Sequence, residues 1–210
     1  MNKHQRIFLS GLMIAAALGL AACNAIEDQS QSNSLLTVMS LQGTDLKGNS
    51  VDYLQSDVLD TSGGTPTIYS DSAAASIRNT PLDPNPISDT STYFDVLLTR
   101  YVVTFSQPSG ASVEGVDVPY SFEGRLSTLI PVNGTADFSF VIVREVAKQE
   151  PPLALLVSSL DVLQVTAKVV FYGHDLANHN INTTGYLTIF FANYGNSATA
   201  QAARAALVHK

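Results

Sequence analysis

The stretch Tyr93-Phe94-Asp95-Val96-Leu97-Leu98-Thr99-Arg100-Tyr101-Val102-Val103-Thr104-Phe105 carries the clearest structural signal in the chain. Tyr101, Val103 and Phe105 fall on one face of an extended strand, and Val102 and Thr104 on the other. β-Branched and aromatic residues at period two specify a strand with one face in a core. The same grammar recurs on both sides. Leu35–Leu41 is apolar and ends at Gly43. Val51–Asp60 ends at Ser62-Gly63-Gly64. Pro66–Ser70 and Ala74–Arg78 read as two short strands or one interrupted edge strand. Tyr120–Ile130 places Phe122, Gly124, Leu126 and Thr128 together, and Ala136–Val143 does so for Phe138, Phe140 and Ile142. Val162–Tyr172 sets Val165, Ala167, Val169 and Phe171 against Thr166, Lys168 and Tyr172. Thr184–Asn193 sets Leu187, Ile189 and Phe191 against Tyr186, Thr188 and Phe190.

This makes seven to nine strands separated by turn residues, with no sustained 3.6-residue apolar period over residues 34–195. The expected class is all-β. The expected architecture is an antiparallel two-sheet sandwich of immunoglobulin-like or fibronectin-like type, with a closed barrel as the alternative. Trp is absent and Cys occurs once, so the Cys…Trp…Cys spacing of true immunoglobulin domains is missing.

The chain opens with Lys3 and Arg6, followed by the apolar run Ile7–Ala22. That run is shorter than the about 20 residues a membrane-spanning helix needs. A positive start, a short apolar core and small residues before a cut point describe a secretory signal peptide, expected as a helix. The run ends in Leu20-Ala21-Ala22-Cys23. This tetrad resembles the lipobox of bacterial lipoproteins. The resemblance implies that residues 1–22 are removed, and that Cys23 becomes an N-terminus carrying diacylglycerol and an amide-linked acyl chain. More than one chain anchors stably, because each buried CH₂ contributes about 0.8 kcal/mol. Asn24 rather than Asp follows the Cys, which in this family points to the outer membrane, on its periplasmic or surface side. The covalent lipid is the expected membrane contact, and no other cofactor is expected. Cys23 is the sole Cys of the chain, which excludes disulfides, dithiol redox chemistry and Cys₂ metal sites from the domain.

Residues 23–33 hold little that a core would bury and read as a tether. Residues 34–195 form the expected domain. Residues 196–210 are an alanine-rich tail with Ser197 as N-cap of a short helix. Two of the eleven Lys and Arg lie in residues 1–22, so nine face eighteen Asp and Glu in the remainder, a net −9. Such a balance disfavours nucleic acid as a partner.

Candidate chemistry gathers at Gly173-His174-Asp175-Leu176-Ala177-Asn178-His179-Asn180. His174, Asp175 and His179 are residue types that bind zinc or copper, and Asp175, Asn178 and Asn180 offer oxygens to calcium. Asp-x-x-Asn is also ordinary hairpin chemistry: Asn tolerates positive φ, and Asp bonds the backbone two residues on. Asp117, in the long connection Gln107–Pro119, and Tyr172 and Tyr186, on strand faces near the hairpin, are candidate binding residues. Arg100 and Arg144 are expected to pair with carboxylates at a sheet edge. Carboxylate pairs such as Asp57/Asp60 and Glu114/Asp117 read as solvated surface. No Gly-x-Ser-x-Gly, His-Glu-x-x-His or phosphate-cradling glycine loop occurs.

Leu98-Thr99-Arg100-Tyr101, Gly115-Val116-Asp117-Val118-Pro119-Tyr120, Val143-Arg144-Glu145-Val146-Ala147-Lys148 and Phe171-Tyr172-Gly173-His174-Asp175 are similar to stretches in a group of bacterial envelope lipoproteins with an immunoglobulin-like β-domain and no assigned activity. The resemblance implies a shared fold and address and transfers no catalytic residue. The combined expectation is a lipid-anchored envelope protein that binds a protein partner or supports an assembly, without catalysis. The alternative is an envelope metal-binding protein or hydrolase built on the His174–His179 hairpin.

Overall fold

The computed structural model describes residues 32–61, 65–83 and 91–196. The signal segment, the lipobox, Cys23, the tether up to Gln31, the alanine-rich tail and the proline-rich residues 84–90 lie outside the described residues. Chain contacts separate Met1–Ser30 from Gln31–Lys210, and every residue described below belongs to the second unit.

Among the described residues nine strands form two sheets. β1 (Ser34–Thr44), β2 (Ser50–Val51), β4 (Asp71–Pro81) and β7 (Thr135–Val143) make a four-stranded sheet in the order β2-β1-β4-β7. β3 (Tyr53–Asp57), β5 (Val96–Ser106), β6 (Phe122–Ile130), β8 (Leu163–Asp175) and β9 (Asn180–Ala192) make a five-stranded sheet in the order β3-β9-β8-β5-β6. The order β1-β4-β7 opposite β9-β8-β5-β6 is the A-B-E and G-F-C-C′ arrangement of the immunoglobulin-like sandwich.

All pairings are antiparallel except β3 with β9, which is parallel. The architecture is the expected two-sheet sandwich, and this one pair departs from its antiparallel pattern. The reason is that the first strand is shared between the sheets. β1 lies in one sheet. The chain then makes a tight excursion at Asp45–Asn49, where Asp45 Oδ1 accepts from the Lys47 and Asn49 N–H groups at 2.8 Å. β3 follows in the other sheet, beside the last strand. Gly43 permits the transfer: a Cβ there would strike the Tyr53 carbonyl and Leu54 of β3.

The alternating faces fall as the pattern requires. Val165, Ala167, Val169 and Phe171 of β8 are fully buried, as are Ile189 and Phe191 of β9 and Val96, Leu98 and Val103 of β5. Each large apolar side chain so buried contributes about 1.5–3 kcal/mol. Tyr101, Phe138, Phe140 and Phe171 form an aromatic centre with ring centroids 4.9–6.3 Å apart, in tilted and edge-on pairs. Tyr101 Oη bridges the sheets by donating to the Val141 carbonyl at 2.9 Å. Gly124 makes this possible, because a Cβ at that position would run into the Tyr101 ring.

Several element bounds differ from the sequence reading. Residues 74–81 belong to a strand starting at Asp71 that lies between β1 and β7, so this is a central strand and not an interrupted edge. Its face toward the core is built from small residues, Ala73 and Ala75, with Ile77 and Asn79. That composition dilutes the apolar alternation by which a central strand is recognised. Asn79 is fully buried, and its Nδ2 donates to the carbonyls of Phe94 and Ile130 at 2.8 and 3.3 Å. β8 runs on to Asp175 and β9 begins at Asn180, so the connection that the sequence reading left over residues 173–183 shortens to residues 176–179. The crossing between β7 and β8 holds α1 (Glu145–Lys148) and a 3₁₀ turn at Leu153–Ser158, with Leu153 and Leu156 in the core.

Candidate binding face

Three candidate residues come from the hairpin, and strand geometry divides them. Successive side chains of a strand point to opposite faces. Asp175 therefore lies with the core residues of β8, while His174 lies on the outer face, in register with Leu97 and Asn180. Asp175 is buried and caps the turn: it accepts from the His179 N–H at 2.8 Å and lies 3.1 Å from His179 Nδ1. Asn178 sits at φ 67° and its N–H donates to the Asp175 carbonyl at 2.9 Å. The hairpin thus brings Asp175 and His179 together and leaves His174 apart. Among the described residues no group of three or more His, Cys, Asp or Glu is placed to share a metal ion.

Burial alone would raise the Asp175 carboxyl. Hydrogen bonds from the His179 N–H, the Ser32 hydroxyl and the His179 ring outweigh it and hold the group below its ordinary 3.8.

Asp117 is tied into its own loop. Its Oδ2 accepts from the Val113 N–H at 3.1 Å and its carbonyl from Gln107 Nε2 at 2.8 Å. It lies outside the sheets and does not join the other candidates.

Tyr172 and Tyr186 lie on the same outer face of the five-stranded sheet, two rows apart. Cross-strand register arranges this face in rows. One row runs Arg125–Arg100–Tyr172–Asn182, the next Glu123–Val102–Val170–Thr184, and a third Thr104–Lys168–Tyr186. Toward β3 follow Thr188 with Tyr53 and Phe190 with Gln55, and the Tyr53 and Phe190 rings meet edge-on at 6.0 Å. The Arg100 guanidinium lies 4.0 Å from the Tyr172 ring centroid and 3.2 Å from Glu123. Tyr186 is 62% exposed. In the three rows between β6 and β9, Arg100, Arg125 and Lys168 stand against Glu123, on a chain with eighteen acids and eleven bases. The face is thus locally basic and bears two aromatic anchors on an acidic protein. Arg100 pairs with a carboxylate as expected but from an interior strand, and Arg144 instead lies 4.7 Å over the Phe122 ring.

A cleft of about 550 Å³ lies at the β3 end of the domain, lined by Asp45, Asp57, Asp60, Asp71, Tyr69 and Lys148 among others. Lys148 is 2% exposed and donates to Asp71 Oδ2 at 2.9 Å and to the Asp57 carbonyl at 2.8 Å. Ser56 donates to Asp71 Oδ2 at 2.6 Å. Burial raises the Asp71 carboxyl above its ordinary value, against the opposing pull of Lys148. Asp57 is also raised by burial, against hydrogen bonds from the N–H groups of Tyr194 and Leu59. The ammonium is held by these bonds and serves as a strut from α1 to β3 and β4. Sequence reading missed it because Asp71 and Lys148 are far apart in the chain and each looks like ordinary surface.

No protein-family model matches the chain, and no curated protein does. Among solved structures it is similar to a crystal structure of a provisionally named ApaA protein from Bordetella pertussis. The two share 10% identity at a TM-score of 0.36, over 79% of this chain and 99% of that one. A likeness of that size carries no argument about function.

Proposed function

We propose that this chain is a lipid-anchored cell-envelope protein, held through Cys23 on the outer membrane, whose immunoglobulin-like domain binds a protein partner without catalysis. The observation that carries the reading is the outer face of the five-stranded sheet. Exposed Tyr186 and Arg-stacked Tyr172 lie on it with Lys168, Arg100 and Arg125. Tyr and Arg are the residues that dominate binding energy at protein interfaces. The locally basic charge suits an acidic partner surface and speeds encounter with it.

The test is affinity capture from envelope extracts with the full chain, followed by measured binding of the partner recovered. Tyr186→Ala together with Lys168→Glu should weaken that binding by about 2 kcal/mol or more while leaving the fold intact. Unchanged binding by the double variant would move the binding site off this face.

A further inference from the structure

We propose that one edge strand of the five-stranded sheet, β6, pairs antiparallel with β6 of a second copy of this chain, joining two five-stranded sheets into one. β6 is hydrogen-bonded to β5 on one side, and no strand among the described residues pairs with its other side. An unpaired row of backbone donors and acceptors is a template for another strand.

The sequence of the edge specifies the occupant. Residues 122–126 read Phe-Glu-Gly-Arg-Leu. About Gly124 this segment is chemically palindromic, with acid answering base and apolar answering apolar. In an antiparallel pair centred on Gly124, Glu123 of one copy lies opposite Arg125 of the other, and Phe122 opposite Leu126. A two-fold axis repeats both contacts, which is the self-complementarity an isologous interface needs.

The charge arrangement within one copy is incomplete in a way this pairing repairs. Arg125 stands directly across from Arg100 on β5, a repulsive register. One carboxylate, Glu123, serves both, at 3.2 Å from Arg100 and 3.7 Å from Arg125, and the Arg125 side chain is 82% exposed. The second copy places its own Glu123 beside Arg125. Phe122 and Leu126 are half-buried and pack on the core from one side, and the second copy covers them from the other. The Tyr101 ring fills the space over Gly124, so the inner face is closed at the axis.

Register also limits the contact. Between Thr128 and Arg125, β6 advances three residues while β5 advances two, from Leu98 to Arg100. That irregularity bends the edge beyond Leu126 and confines regular pairing to the palindrome. Of the other edge strands, β2 has no charged residue, β3 only Asp57 and β7 only Asp137, so no self-pairing register there meets an opposite charge. The proposal does not depend on what the outer face binds.

The experiment is native mass spectrometry and sedimentation of the full chain in detergent, with circular dichroism confirming the strand content of each variant. Wild type should dimerise at micromolar concentration. Arg125→Glu and Glu123→Arg should each raise the dimer dissociation constant by about tenfold or more, because like charges then oppose each other twice. The swap Glu123→Arg with Arg125→Glu restores every cross-copy pair and should restore the dimer. A wild type that stays monomeric to on the order of 100 micromolar overturns the proposal. So do folded single variants that dimerise like wild type, or a folded swap that does not dimerise.

Discussion

Lys148 shows how much a single side chain decides when it is taken out of water. Its ammonium is satisfied by Asp71 and by the Asp57 carbonyl, and Asp71 also accepts from Ser56. Removing one partner of a buried ion pair leaves an uncompensated charge, which costs about 3–5 kcal/mol. Asp71→Ala should therefore lower unfolding stability by that amount. Asp71→Leu with Lys148→Met removes both charges and should recover most of the loss, as read from urea denaturation midpoints. Neither residue is marked in the sequence, where Asp71 begins a run of serine and alanine and Lys148 ends a short mixed segment. Gly124 is the converse case: its place among Phe122, Leu126 and Thr128 was legible, but its need to be glycine follows from Tyr101 crossing the sheet above it.

Elements were legible wherever one face is apolar and the other polar. β5 and β7 fall close to their sequence bounds, and β8 and β9 are recognised but run three and four residues further into their hairpin, because Val, Ile, Phe and Tyr alternate with polar residues there. β4 contains the strand read at Ala74–Arg78 but is longer and central, because alanine and serine fit a crowded central strand without advertising it. The β8–β9 hairpin follows the turn chemistry of its residues, with Asp175 accepting and Asn178 at positive φ. Its pH behaviour follows as well. A carboxylate held below its ordinary value in the folded state stabilises the fold above pH 3.8, and that contribution is lost as pH falls through the depressed value. Asp175→Asn should cost about 2 kcal/mol at neutral pH, the worth of hydrogen bonds to a charged group. The denaturation midpoints of wild type and variant should converge as the solution is acidified below pH 3.8. A constant gap across that range would mean that the carboxylate charge plays no part.

At the scale of the whole molecule, anchor and domain make separable predictions. If Cys23 carries lipid, Cys23→Ser should move the protein from the detergent-extracted fraction to the aqueous phase, with the same strand circular dichroism. A variant that remains membrane-bound in high salt would remove the anchor from the proposal. Local sequence determined the all-β class, most strands and their buried faces, and the chemistry of the turns, because each depends on residues within a few positions of one another. Tertiary structure alone decided the division of the first strand between two sheets and the parallel pairing of β3 with β9. It also decided the Lys148–Asp71 strut and the gathering of Tyr172, Tyr186, Arg100 and Lys168 on one face. These depend on which strands become neighbours, and strand order is set by how the whole core closes, not by the pattern within any one strand.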